Sequence, residues 1–310
     1  MTETMANNVR IAPVNLRMPA RAVGRLARLV YRATREPALN SCLAHRRTRA
    51  VADSCGWVPV RAVMRRLAMA AVLAVACANA TAADLVVSAA ASLTNAFTEI
   101  GKAFEKAHPG TTVALNFAGS GQLLQQIARG APVDVFASAD QETMRRAEQK
   151  NLVLADSRRD FARNALVLIA PADSSLDIRR LSDLQMERVE RIAISNPASV
   201  PVGHYSQFAL QAAGLWEALA PKYINTQHVR QSLDYVARGE VDAGFVYATD
   251  VGAMPEKVRV LMEVATAEPI AYPIAVVSDT RREDTARRFV GFVDSPRGRE
   301  ILQRHGFRAP

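Results

Sequence analysis

From Asp84 onward, short apolar runs alternate with stretches in which apolar residues recur every three or four positions. Leu85-Val86-Val87-Ser88 predicts a strand, and Leu93, Phe97, Ile100 and Phe104 share one face of the helix after it. Thr112–Phe117 predicts a second strand, followed by a helix whose inner face is Leu123, Leu124, Ile127 and Ala128. Val133–Ala137 reads as a strand and 140–150 as a polar helix. Further strands are predicted at Ala165–Ala170, Ile192–Ser195, Phe245–Tyr247 and Tyr272–Val277, and helices at 203–213, 229–238 and 281–305. Strands alternating with helices build βαβ units, so the pattern predicts an α/β chain with mainly parallel sheets. No internal repeat or low-complexity stretch interrupts it.

Residues 64–83, MRRLAMAAVLAVACANATAA, break this pattern. Arg65 and Arg66 precede a short apolar run from Leu67, and Ala80-Thr81-Ala82 fits a signal-peptidase site, so 64–83 reads as a secretory signal peptide. The run is shorter than the roughly 20 residues that span a bilayer. Ala74-Val75-Ala76-Cys77 is a loose lipidation motif with Ala74 where leucine is expected, so a soluble periplasmic form is favoured over a lipid-anchored one. Signal peptides open a chain; residues 1–63 therefore read as an upstream extension, with the natural start at Met64.

The net charge of +9 suggests a polyanionic partner until it is divided along the chain. Residues 1–82 hold 13 of the 39 Lys and Arg and only 3 of the 30 Asp and Glu, leaving 26 and 27 for residues 83–310. A nearly neutral body has no electrostatic footprint for nucleic acid, so any anion site must be local. All three cysteines (Cys42, Cys55, Cys77) precede the body, which needs neither disulfide nor thiol chemistry.

No nucleophile elbow, phosphate-binding loop or clustered metal-ligand spacing is present. His108, His204, His228 and His305 are scattered, and His108 and His305 read as solvated surface residues. The strand–helix junctions are more informative. Ser92 stands in the Ala89–Thr94 junction, Ser120 in Gly119-Ser120-Gly121, Val202 in Pro201-Val202-Gly203, and Val229 between His228 and Arg230; Tyr247 ends a strand. Free N–H groups and the helix dipole make such junctions anion sites, and in α/β sheets they lie where ligands bind. Taken singly, Ser92 and Ser120 read as helix caps, Tyr247 as a core aromatic, and Asp134 as structural. Only the combination points to a ligand.

That combination resembles the periplasmic molybdate-binding proteins of ABC importers. The resemblance covers residues 84–310 and is carried by AAASLTNAF (89–97), FAGSGQL (117–123), GAPVDVFASADQ (130–141), NALVLIAP (164–171), VPVGHY (200–205), GFVYATD (244–250), YPIAV (272–276) and HGF (305–307), in order and spacing. It implies a two-lobed, type II periplasmic-binding-protein fold: two lobes of mainly parallel sheet flanked by helices, joined by two crossover strands and closing by hinge motion. The crossings are expected near NALVLIAP and YPIAV, giving lobe 1 as 84–163 plus 275–310 and lobe 2 as 164–274. It also implies a monomer that is not an enzyme, needs no cofactor, binds molybdate or tungstate, and delivers it to an ABC importer permease.

By the same resemblance the oxyanion is held by the hydroxyls of Ser92, Ser120 and Tyr247 and the backbone amides of Val202 and Val229, with no side chain ligating the metal atom. These groups are neutral and can donate. Molybdate is a fully ionised dianion that only accepts, whereas hydrogen phosphate carries a proton that needs an acceptor. A buried unpaired donor costs about 1–3 kcal/mol, so the set disfavours protonated oxyanions. Tungstate and sulfate remain open at this stage, as does a binding protein for another small anion. A secreted hydrolase using either serine lacks a base nearby in sequence.

Overall fold

The computed structural model describes residues 83–310. The extension, the Met64 start and Cys77 fall outside them, as does the signal peptide except for Ala83. Strand β1 (Ala83–Ala90), helix α1 (Thr94–Ala107), β2 (Thr111–Ala118), α2 (Ser120–Ala128), β3 (Val135–Ala137), α3 (Gln141–Gln149) and β4 (Arg159–Asn164) come first. Strand β5 (Leu166–Pro171), β6 (Ile192–Ser195), α4 (Pro201–Ala212), β7 (Tyr223–Thr226), α5 (Val229–Ala237), β8 (Ala243–Tyr247), the short α6 (Ala248–Val251) and β9 (Val258–Val264) follow. The chain closes with β10 (Ile270–Val276), α7 (Glu283–Asp294) and α8 (Pro296–Arg304).

These strands form two five-stranded sheets, β2-β1-β3-β10-β4 and β7-β6-β8-β5-β9. In the first, β1 pairs in parallel with β2 and β3, and β10 runs antiparallel to β3 and β4. In the second, β6 pairs in parallel with β7 and β8, and β5 runs antiparallel to β8 and β9. Each sheet therefore has four strands in one direction and one reversed. The reversed strands, β10 and β5, are those by which the chain enters from the other sheet. This is the mainly parallel, two-lobed α/β arrangement that the resemblance implies.

The outward crossing is abrupt: Asn164 pairs with Ile270 in the first sheet, and Leu166 pairs with Tyr247 and Val264 in the second. The return crossing differs from expectation. All of Ile270–Val276 belongs to the first sheet, so lobe 2 ends near Val264 rather than at 274. The chain crosses in 265–269, whose polar residues and Pro269 offer no run that a ladder could extend. Pro273 lies inside β10 beside a β-bulge, where its missing N–H is tolerated.

The helical period of α1 is realised in full: Leu93, Phe97, Ile100 and Phe104 are all fully buried. Phe97 and Phe104 pack edge-on against Phe289 of α7, with ring centroids 6.2 and 5.2 Å apart. Burying one such side chain contributes roughly 1.5–3 kcal/mol. The predicted helix 281–305 is two helices broken at Ser295, whose hydroxyl accepts from the Gly298 N–H at 3.2 Å and starts α8 at Pro296. Asp134 has the structural role read for it: its carboxylate accepts from Val86 N–H and the Thr280 hydroxyl.

Candidate functional site

The parallel strands of both sheets point their carboxyl ends at the same cleft. Ser92 lies in the single 3-10 turn Ala91–Leu93 between β1 and α1, and Ser120 is the first residue of α2 after β2. Val202 is the second residue of α4, Val229 the first of α5, and Tyr247 the last of β8. The structure brings all five to one cavity, which they line together with Ala90, Ala118, Gly119, Ala139 and His228. None of the five is more than 3% exposed. The cavity is small, about 10 Å³, on the scale of a single water and too little for a sugar or nucleotide.

Neither serine is a helix cap. Leu93 and Gly119 occupy the cap positions of α1 and α2, and no side chain caps either helix. The Ala139 N–H instead donates to Ser120 Oγ at 3.1 Å, and Ser92 Oγ lies 3.1 Å from the Tyr272 hydroxyl. An amide N–H can only donate, so Ser120 accepts from it and keeps its own proton for the cavity. Val202 and Val229 sit in the first turns of their helices, where backbone N–H groups have no partner within the helix. Pro201 has no N–H at all, so the first donor α4 offers is Val202.

Tyr247 places its hydroxyl 3.5 Å from the Ala139 carbonyl. Burial raises its pKa well above 10, so the phenol stays protonated and able to donate. His228 caps α5: its ring Nδ1 accepts from the Gln231 N–H at 3.2 Å, and burial lowers its pKa, favouring the neutral ring. No Asp, Glu, Lys or Arg lines the cavity. The positive potential there comes from the N-terminal ends of α2, α4 and α5 rather than from formal charge.

Charged groups stand one layer behind. Arg230 of α5 pairs at 2.8 Å with the fully buried Asp250 and reaches across the cleft to the Ser92 carbonyl and to Asn95 Oδ1, each at 3.3 Å. Burial raises the Asp250 carboxyl to about 6 despite Arg230. Sequence reasoning missed this pair, and also Asn164 and Tyr272; the tyrosine looked like one more apolar position in a strand. The other histidines differ from expectation. His108 stacks on Phe104 at 4.1 Å, and His305 Nε2 lies 3.0 Å from Glu99, so neither is simply solvated. Among the described residues no group of His, Cys, Asp and Glu could hold a metal ion, and no helix is long and apolar enough to cross a membrane.

The model of the bacterial extracellular solute-binding proteins matches residues 85–308. The chain belongs to that family. Its members are binding proteins rather than enzymes. Over 229 residues the chain is 35% identical to the molybdate-binding protein ModA of Escherichia coli, covering 72% of this chain and 88% of that one. It is 32% identical over 234 residues to ModA of Haemophilus influenzae, covering 74% and 92%. The solved periplasmic molybdate-binding protein of Azotobacter vinelandii superposes with a TM-score of 0.66 at 26% identity, covering 73% of this chain and 99% of that one.

Proposed function

We propose that this protein captures molybdate, and tungstate of the same shape and charge, in the cavity between its two sheets and delivers it to the permease of an ABC importer. The observation that carries the reading is the lining itself: three hydroxyls and two helix-start amides converge with no carboxylate among them. A tetrahedral dianion accepts from all five. A protonated oxyanion would turn its O–H onto donors that cannot accept, leaving a buried polar group unpaired at about 1–3 kcal/mol. The relatives named molybdate-binding support the choice of metal.

The family points to an extracytoplasmic location, and we assign export to the segment 64–83, with the monomeric soluble protein acting in the periplasm. Sulfate shares molybdate's lack of protons and is the alternative cargo; only cavity size rejects it. Thermal unfolding of the purified protein with each anion in turn tests the assignment. Molybdate and tungstate should raise the midpoint, because a ligand that binds only the folded state stabilises it by mass action. Hydrogen phosphate should leave it unmoved, and a phosphate shift equal to that of molybdate would overturn the reading.

A further inference from the structure

The two crossover strands place a pair of buried polar side chains directly behind Ser92. Asn164, at the end of β4, is 8% exposed, and Tyr272, on β10, is fully buried. The Ala165 N–H donates to Asn164 Oδ1 at 2.9 Å, which fixes the orientation of the amide. Asn164 Nδ2 is left with two protons and two acceptors: the Thr249 hydroxyl at 2.8 Å and the Tyr272 hydroxyl at 3.1 Å. Tyr272 Oη thus receives a hydrogen bond, and its own proton has Ser92 Oγ as partner, 3.1 Å away. With Tyr272 donating, Ser92 Oγ receives in turn, which leaves the Ser92 hydroxyl proton for the cavity.

We propose that Asn164 and Tyr272 are positioning residues that lock Ser92 as a hydrogen-bond donor and so set the site's preference for unprotonated oxyanions. The inference rests on the oxyanion reading above. A free serine hydroxyl donates or accepts with equal ease and would tolerate a protonated anion. Here the backbone N–H of Ala165 fixes the Asn164 amide as a donor to Tyr272, which favours Tyr272 donating onward to Ser92. The lock also lies on the strands that connect the lobes, where β4 and β10 are paired neighbours. Ser120 is locked in the same sense by a single backbone amide, that of Ala139.

The test is a double-mutant cycle on molybdate affinity. Tyr272→Phe keeps the ring that packs against Phe161, Tyr247 and Phe307 but removes the bond to Ser92. It should weaken molybdate binding about tenfold, the usual worth of one hydrogen bond, with the fold retained. In a Ser92→Ala background the same change should have no further effect, because its only route to the ligand is gone. Additive losses would show that Tyr272 acts through packing and would overturn the proposal. Asn164→Asp supplies an independent arm. A carboxylate accepts from Tyr272, reverses the chain and makes Ser92 an acceptor, so in mildly alkaline buffer, where both anions carry two charges, the preference for molybdate over hydrogen phosphate should fall. An unchanged preference would refute the lock. Absence of molybdate binding by the unmodified protein would instead refute the oxyanion reading, and the lock with it.

Discussion

Gly121 donates its backbone N–H to the carbonyl of Ser199 at 3.0 Å, a bond from the first turn of α2 to the loop before α4 across the cleft between the sheets. A Cβ on Gly121 would stand 2.8 Å from that oxygen and 3.0 Å from the Ser199 Cα. Closure of the two lobes thus depends on the absence of a methyl group. Gly121→Ala should weaken ligand binding by roughly 1–3 kcal/mol, the cost of forcing a group into a packed contact, while each lobe keeps its fold. Small-angle scattering with and without molybdate reads the effect directly: the unmodified protein should compact on binding and the variant should not. Equal affinity in both would show that the contact does not limit closure.

Neither Ser92 nor Ser120 caps a helix, but each hydroxyl is held from behind, Ser92 by the Tyr272 hydroxyl and Ser120 by the Ala139 N–H. Ser92→Ala and Ser120→Ala should each cost about 1–3 kcal/mol of binding, and Ser120→Ala should also lower the thermal midpoint, because it leaves the buried Ala139 N–H unpaired. Calorimetric titration of each variant checks this. Full affinity in both would remove the serines from the site.

Tyr247 is buried, and burial holds its phenol protonated well beyond its usual range. Binding should therefore show no alkaline decline from this group anywhere near neutral pH, and Tyr247→Phe should lower affinity equally across that span. A decline in the unmodified protein that the Phe variant lacks would mean that the phenol ionises and is not a buried donor.

Asp250 gives a signed pH dependence. Its folded pKa, about 6, lies above the usual value of 3.8, with burial raising it and Arg230 opposing. The folded state binds this proton more tightly than the unfolded chain, so the contribution to stability is fully present below about 3.8 and lost as pH rises through about 6. Urea unfolding of the protein and of Asp250→Asn between those limits should show the variant gaining relative to the original as pH rises. A constant difference would mean that Asp250 does not titrate there.

The strands that the hydrophobic pattern revealed are mainly those inside the sheets, and the ones it missed are at their edges. β4, β7 and β9 are all edge strands. An edge strand pairs on one side only and here buries few of its residues, as the exposed Arg159, Asp160 and Arg163 of β4 show. No continuous apolar run marks it, and its charged residues discourage pairing with another chain. The strand–helix junctions left a local trace, but the five candidate ligand positions were assigned only through the family resemblance, since singly they read as caps or core residues. Asn164, Tyr272, Arg230 and Asp250 left no such trace. Their roles come from contacts between residues far apart in sequence, such as Ser92 with Tyr272, and no local spacing encodes these. Lobe 2 was drawn too long because the crossing was placed within YPIAV, whereas that whole strand pairs with β3 and β4 of the first sheet.

Isothermal titration of the purified protein with molybdate, tungstate, sulfate and hydrogen phosphate tests the central claim most directly. The donor-only cavity predicts one tight site for molybdate and tungstate and no measurable heat from hydrogen phosphate, while a cavity matched to the larger anions predicts weaker binding of the smaller sulfate. Phosphate binding as tightly as molybdate would contradict the donor-only site, and sulfate binding as tightly would contradict molybdate as the cargo.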